Sequence, residues 1–149
     1  MKKWDEIPVF MNNEQVKYYY NILKKKERQI RIKRIFDVVM AVSLIIVLLP
    51  IMIAISVAIK MDSSGPVIFK QVRITTYGRK FHIYKFRTMV AGADKIGSKV
   101  TVQGDSRITK TGEFLRKYRL DEIPQLFNVL LGDMSFVGTR PEVEKYVHQ

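Results

Sequence analysis

The chain has 149 residues, with 26 Lys and Arg against 14 Asp and Glu and a formal net charge of +12. That length suits one small domain with a modest core, and the charge points to an anionic partner: nucleic acid, anionic lipid or a phosphorylated substrate. Cysteine is absent and His82 and His148 are the only histidines, which excludes disulfides and disfavours a His/Cys metal site, while an oxygen-ligated cation such as Mg²⁺ stays open.

Residues 1–23 hold Trp4 and the triplet Tyr18-Tyr19-Tyr20 without clean periodicity, and read as a weakly structured or surface-lying start to an N-terminal basic arm, residues 1–32. The run "KKKERQIRIKR", residues 24–34, carries seven cations in eleven positions. Placed just before an apolar segment, it reads as a juxtamembrane polybasic patch rather than a solvated charge run. Residues 38–59, "VVMAVSLIIVLLPIMIAISVAI", are 22 positions without a charge. At about 1.5 Å per residue they match a ~30 Å hydrocarbon core. The membrane segment is set at residues 33–60.

Two topologies fit this segment. Pro50 removes a backbone hydrogen bond mid-way, so a kink is expected there. Both flanks are basic, and the positive-inside tendency favours keeping both on one side. A re-entrant helix broken at Pro50 satisfies that, and a straight span bent at Pro50 remains an equal alternative at this point.

Residues 61–149 have the composition of a globular domain. Residues 67–72 and 80–86 look like strands, joined as a hairpin by a turn at Tyr77-Gly78-Arg79. Residues 91–104 read as a loop. A helix is expected over 112–118 with Thr111 as N-cap, and a second from Glu122 to Leu131 or slightly beyond. In the second, Ile123, Leu126, Phe127, Leu130, Leu131 and Met134 form one apolar stripe, expected to pack on the core with partial membrane contact. The fold class is therefore α/β, rich in helix: one kinked membrane helix plus a cytoplasmic domain of short strands and amphipathic helices.

Candidate chemistry centres on "LRKYRLDEIPQLFNVLLGDMSFVGTRP", residues 115–141. By local rules Asp121 caps a helix, Glu122 favours its positive end and Pro124 occupies its first turn. Arg116, Lys117, Arg119 and Arg140 surround that pair, and guanidinium groups bind phosphate in bidentate fashion. A carboxylate among such cations can attack phosphorus while its neighbour holds a metal. In "YKFRTM" Lys85 and Arg87 alternate onto one strand face, and two adjacent cations invite an anion between them. The stretch "DSRITKTG", residues 105–112, reads as turn and capping chemistry. There is no Walker loop, no GxGxxG and no Ser/His/Asp set. Nucleic-acid binding is disfavoured, because a membrane segment splits the basic residues and no binding module is recognisable.

Taken in order, "KRIFDVVMAVSLIIVLLP", "GPVIFKQVR", "FHIYKFRTM" and "DSRITKTGEFLRKYRLDEIPQLFNVLLGDMSFVGTRP" resemble the bacterial sugar transferase family, the monotopic phosphoglycosyl transferases. The resemblance runs from Lys33 to about Val147. It implies phosphosugar transfer from a UDP-sugar to undecaprenyl phosphate with release of UMP, the first step of exopolysaccharide, capsule or glycoprotein glycan assembly. It further implies that Asp121 is the nucleophile of a ping-pong scheme through an aspartyl phosphosugar. Glu122 would help hold Mg²⁺, and Lys85, Arg87, Arg116, Arg140 and Pro141 would bind substrate. The family's apolar helix is re-entrant, which favours a dip from the cytoplasmic face of the bacterial inner membrane and gives Pro50 the kink. A homodimer is left open. Three departures stand out: Leu49 where the family often has Ser, Thr139 where Pro is usual, and an end at Gln149 that suggests a C-terminal truncation. The competing readings are an inactive truncated transferase and a non-enzymatic, polybasic membrane-anchored adaptor.

Overall fold

The computed structural model describes residues 3–93, 104–139 and 141–142. Among the described residues four α-helices and one hairpin make up the regular structure, so the α-rich expectation holds there and the strand content is a single two-stranded sheet.

The N-terminal arm is more ordered than its sequence suggested. Short 3₁₀ turns at Trp4–Glu6 and Val9–Met11 lead into helix α1, Glu14–Lys25. Asn13 caps it, its Oδ1 accepting the Val16 N–H at 2.8 Å. Trp4 packs edge-on against Tyr20 with ring centroids 5.2 Å apart, and that contact holds the arm on one flank of the helix. Periodicity was obscured because aromatic residues lie on both the covered and the open sides.

Lys26 alone separates α1 from α2, Glu27–Asp62, a 36-residue helix about 54 Å long. Its hydropathy and length suffice to cross a membrane, and only 17% of its most apolar window is buried. A soluble core helix would be covered on most sides. Here one stripe touches protein: Asp37, Ala41, Met52, Ile55 and Ile59, with half-buried Leu44, Ile45 and Leu48 between them. Ile46, Val47, Ile53 and Val57 face outward. The helix expected to break at Pro50 is continuous through it. Pro50 sits on the exposed side, where the missing N–H costs one rung without ending the helix.

The hairpin pairs β1, Ile68–Ile74, with β2, Lys80–Phe86, from Ile68 opposite Phe86 to Ile74 opposite Lys80. Its turn places Tyr77 and Gly78 at positive φ, close to the turn read from the sequence. Past the strand, Thr88 O accepts the Thr109 N–H, and this seats helix α3, Lys110–Lys117, against the outgoing chain. The N-cap of α3 is Thr109, whose Oγ1 accepts the Gly112 N–H at 3.0 Å, and not Thr111. The Thr111 N–H is held instead by Asp62 at the end of α2. A Cβ on Gly112 would overlap the Thr88 carbonyl group, so the close approach of α3 requires glycine.

After α3 the chain reverses at Arg119, which adopts a left-handed conformation with φ 59°. A 3₁₀ turn follows, Leu120–Glu122, and only then helix α4, Gln125–Leu131. Asp121 therefore does not cap a helix: Pro124 holds the cap position of α4, and no side chain caps it. Pro124 has no N–H to give, and the bonds around it run i→i−3: Ile123 to Leu120, Leu126 to Ile123, Phe127 to Pro124. Helix α4 is shorter than the expected Glu122–Leu131 run. Asn128 and Val129 are its buried residues, Phe127 and Leu131 are exposed, and Ile123, Leu126, Leu130 and Met134 are half-buried. The core joins Met52, Ile55 and Ile59 of α2 to Phe86 and Leu115.

Candidate functional site

The 3₁₀ turn puts Asp121 and Glu122 over the end of β2. Lys85 Nζ lies 2.8 Å from Glu122 Oε1, and both side chains are largely shielded. Burial pushes the Asp121 carboxyl above its ordinary pKa; Lys85 and Arg116 oppose that shift, and the negative charge of Glu122 reinforces it. Two carboxylates thus share the field of two cations, and one of the acids is held reluctant to ionise. Arg116 is braced by its Nε donating to Thr88 Oγ1 at 2.9 Å. The left-handed Arg119 directly precedes this turn, and backbone conformations of that kind cluster at functional sites.

Lys85, Arg116, Asp121 and Glu122 are therefore brought together as the sequence suggested. Arg87 is placed elsewhere. Its Nη2 donates to the carbonyl and hydroxyl oxygens of Ser63 at 2.7 and 2.8 Å, fastening the end of α2 to the hairpin. The strand ends at Phe86, so the two cations stop sharing a face. Arg87 is only 6% exposed, and its Nε and Nη1 have no hydrogen-bond partner among the described residues. Pro141 precedes Glu142, whose carbonyl accepts the Ile74 N–H at the turn end of the hairpin. Lys85 lies five residues along β2 from Lys80, the partner of Ile74, or roughly 17 Å away. Arg140 and most of the 91–104 loop lie outside the described residues.

Several functional contacts had no sequence signal. Asn128, fully buried, donates to His82 O at 2.7 Å and accepts the Tyr84 N–H at 2.9 Å, locking α4 across the strand that carries Lys85. Its backbone carbonyl accepts from Asp133 N and Met134 N, with Gly132 at positive φ closing the helix. At the far end of α4, buried Asp37 accepts from Ser135 Oγ at 2.7 Å and from Lys33, which also contacts Ser135. Arg34 donates to the carbonyls of Val129 and Leu130, the latter at 2.8 Å. The "KRIFD" stretch contributes to the polybasic run and to the family resemblance, but its contacts with Val129, Leu130 and Ser135 span about a hundred residues, beyond any local pattern.

Between Leu44 and Leu48 of α2 and Glu122, Leu126 and Met134 runs an open, mostly apolar groove of about 350 Å³. Among the described residues no group of three or more His, Asp and Glu could hold a metal. The dyad alone offers hard carboxylate oxygens, which fits Mg²⁺, since that ion is usually bound by one or two carboxylates together with substrate phosphates.

Comparison with known proteins places this arrangement. A family model described as bacterial sugar transferase matches residues 28–149. The chain is 47% identical over 118 residues to a UDP-N-acetylgalactosamine-undecaprenyl-phosphate N-acetylgalactosaminephosphotransferase of Aeromonas hydrophila, covering 79% of this chain and 28% of that protein. It is 43% identical over 119 residues to a UDP-glucose:undecaprenyl-phosphate glucose-1-phosphate transferase of Escherichia coli, covering 79% and 25%. With an exopolysaccharide production protein, PSS, of Rhizobium leguminosarum it shares 46% identity over 110 residues, covering 73% and 55%. The chain thus spans between a quarter and about half of the length of these relatives. Because the match takes in α2, the hairpin, the cation pair and the acidic dyad, the chain belongs to the bacterial sugar transferase family.

Proposed function

We propose that this chain transfers a phosphosugar from a UDP-sugar to undecaprenyl phosphate. The observation that carries the reading is the convergence of Lys85 from β2 and Arg116 from α3 on the turn that holds Asp121 and Glu122. The relatives' names add the acceptor and two UDP-sugar donors.

Asp121 acts as the nucleophile. Its carboxylate oxygen attacks the β-phosphorus, the bond from that phosphorus to the bridging oxygen breaks, and UMP leaves with the electron pair. A phosphate oxygen of undecaprenyl phosphate then attacks the aspartyl phosphosugar, and the Asp121 carboxylate is released unchanged. Lys85 and Arg116 offset charge on the diphosphate before attack and on the leaving UMP after it. Arg116, braced by Thr88, presents its remaining N–H groups in a fixed fork. Glu122 would help hold Mg²⁺, which when bound supplies charge neutralisation at the phosphates. Lys85 and Arg116 favour the ionised form of Asp121 against burial and the charge of Glu122.

The acceptor is a lipid, and α2 supports a re-entrant seat for the enzyme. The two polar anchors of α2, Lys33 to Asp37 and Asp62 to Ser63, lie about 38 Å apart along its axis. Both bind the same small domain. A helix standing upright in a bilayer would set the two anchors at opposite interfaces and draw the polar parts of the domain packed between them into hydrocarbon, where unpaired polar groups are expensive. A helix dipping in from the cytoplasmic face leaves both anchors in water or headgroups. The groove beside Glu122 borders the exposed apolar side of α2 and α4 and offers a lipid-borne phosphate a route to Asp121.

Membranes holding the protein, mixed with UDP-sugars, undecaprenyl phosphate and Mg²⁺, are expected to release UMP, and Asp121→Asn to abolish it. Release that survives Asp121→Asn would sink the nucleophile assignment. No release with any UDP-sugar would favour a non-catalytic membrane role.

A further inference from the structure

Helix α1 precedes residues 28–149, the span matched by the family, and takes no part in the proposed transfer. It is nonetheless two-sided. At 100° per residue Tyr18, Tyr19, Ile22 and Leu23 fall on one continuous arc. All four are exposed, at 64%, 65%, 37% and 48%, whereas neighbouring Tyr20 is covered by Trp4. The N-terminal turns therefore shield one flank of α1 and leave a larger apolar flank open.

Positive charge is concentrated on the rest of α1 and at its junction with α2. From Glu14 to Arg31 there are six cations, Lys17, Lys24, Lys25, Lys26, Arg28 and Arg31, against two acids. Lys24 and Lys25 close the last turn of α1, and Lys26 is the single residue before α2. The exposed arc of α1 is thereby joined within a few residues to Ile32, Ile35 and Phe36, the first exposed apolar residues of the membrane helix.

We propose that α1 is a second lipid contact: an interfacial helix that lays Tyr18, Tyr19, Ile22 and Leu23 into the headgroup boundary and sets Lys24, Lys25 and Lys26 against anionic lipid phosphates. Tyrosine suits that depth, with an apolar ring and a hydroxyl that stays wet. Lysine stems cover apolar surface while their ammonium groups reach the phosphates. Pairing this face with a second copy would instead bring two sets of six cations together. The proposal rests on the reading of α2 as membrane-inserted, and its test separates the two.

The chain has no cysteine, so single labels are unambiguous. An environment-sensitive fluorophore is attached in turn to Leu23→Cys on the open face, Asn21→Cys on the polar face and Ile53→Cys on the outer side of α2. The full chain is reconstituted in vesicles of phosphatidylglycerol and phosphatidylcholine, or phosphatidylcholine alone, with nitroxide-bearing lipid as quencher. The expected result is quenching at position 53 in both lipids, at position 23 chiefly in the anionic vesicles, and little at position 21. Lys24→Gln with Lys25→Gln is expected to lower the docking equilibrium of α1 by about 25-fold, roughly five-fold per lysine. Quenching at 53 with none at 23 overturns the role of α1 and leaves the membrane helix standing. No quenching at 53 overturns the reading of α2 itself. A label at 23 that is shielded, unquenched by lipid and sensitive to protein density assigns the face to a second copy, and also overturns the proposal.

Discussion

Asp121 and Asn128 lie seven residues apart, yet they meet opposite fates. Asn128 is fully buried, and its side-chain oxygen and amide nitrogen both bond the backbone of β2. Asp121 is half-buried, shares its surroundings with another carboxylate and is pushed towards its protonated form. Between them, the amide nitrogen of Gln125 is buried without a hydrogen-bond partner among the described residues. One end of this short segment is saturated and holds the fold, while the other end keeps unspent electrostatic potential. The contrast teaches how a small domain presents a reluctant acid: an amide bonded at both its polar atoms fixes the helix, and seven residues away burial holds a carboxyl towards its neutral form.

The strongest test of that division is Asp121→Asn. It is expected to reduce UMP release at least about 1,000-fold, because it removes the proposed nucleophile. Its thermal midpoint in detergent should stay at or above that of the parent chain, since a buried, poorly ionised carboxyl is replaced by a neutral amide.

Asn128→Leu should do the reverse in stability. It leaves the Tyr84 N–H and the His82 carbonyl without partners, at a cost of about 2–4 kcal/mol. Chemical or thermal unfolding in detergent reads the loss; a midpoint equal to that of the parent would erase the distinction between support and site. Gly112→Ala is expected to cost roughly 1–3 kcal/mol, because its Cβ meets the Thr88 backbone and pushes α3 off the strand exit. It should lower kcat as well, since Arg116 rides on α3 and is braced by Thr88.

A subtler effect lies in pH. Burial raises the pKa of Asp121 in the folded protein, so the carboxylate is lost as pH falls through a value above the ordinary aspartate range. The acid limb of kcat/KM should sit correspondingly high. Lys85 favours the ionised form, so Lys85→Met should move that limb to still higher pH. A limb that moves to lower pH would mean that Asp121 is not the titrating group. The smallest effect belongs to Asp105. The Arg107 guanidinium beside it holds its carboxyl at about 2 instead of 3.8. The stabilisation it brings is present above the unfolded value and is lost as pH falls towards 2. Asp105→Asn should therefore lower the unfolding midpoint slightly at neutral pH and make no difference near pH 2, flattening that part of the acid-unfolding curve.

The legible parts of this protein were those whose signal is local. An uncharged run of 22 residues, an alternating β2 and a turn at Tyr77-Gly78 each announce themselves through chemistry a few residues wide. Ordered motifs added family membership, and with it the acidic pair. The misreadings have equally local causes. Thr111 looked like a cap, but the competing hydroxyl two residues earlier took the Gly112 N–H while Asp62 claimed Thr111. Asp121 looked like a cap because Pro124 suggested a helix start, whereas the left-handed Arg119 and the i→i−3 bonds delay α4 to Gln125.

By itself, then, the sequence determined that a basic chain carries an apolar helix, a hairpin and an acidic dyad ringed by arginines. Such features follow from side-chain polarity and spacing along one stretch of backbone. Tertiary structure alone decided which cations serve the dyad: Lys85 reaches Glu122, while Arg87, two residues on, turns to Ser63. It also decided that Asp37 and Asp62, at opposite ends of one helix, anchor the same domain through Ser135 and Thr111. The reason is physical: a charged side chain takes whichever partner the packing brings within about 3 Å, and for these pairs that partner lies tens of residues away.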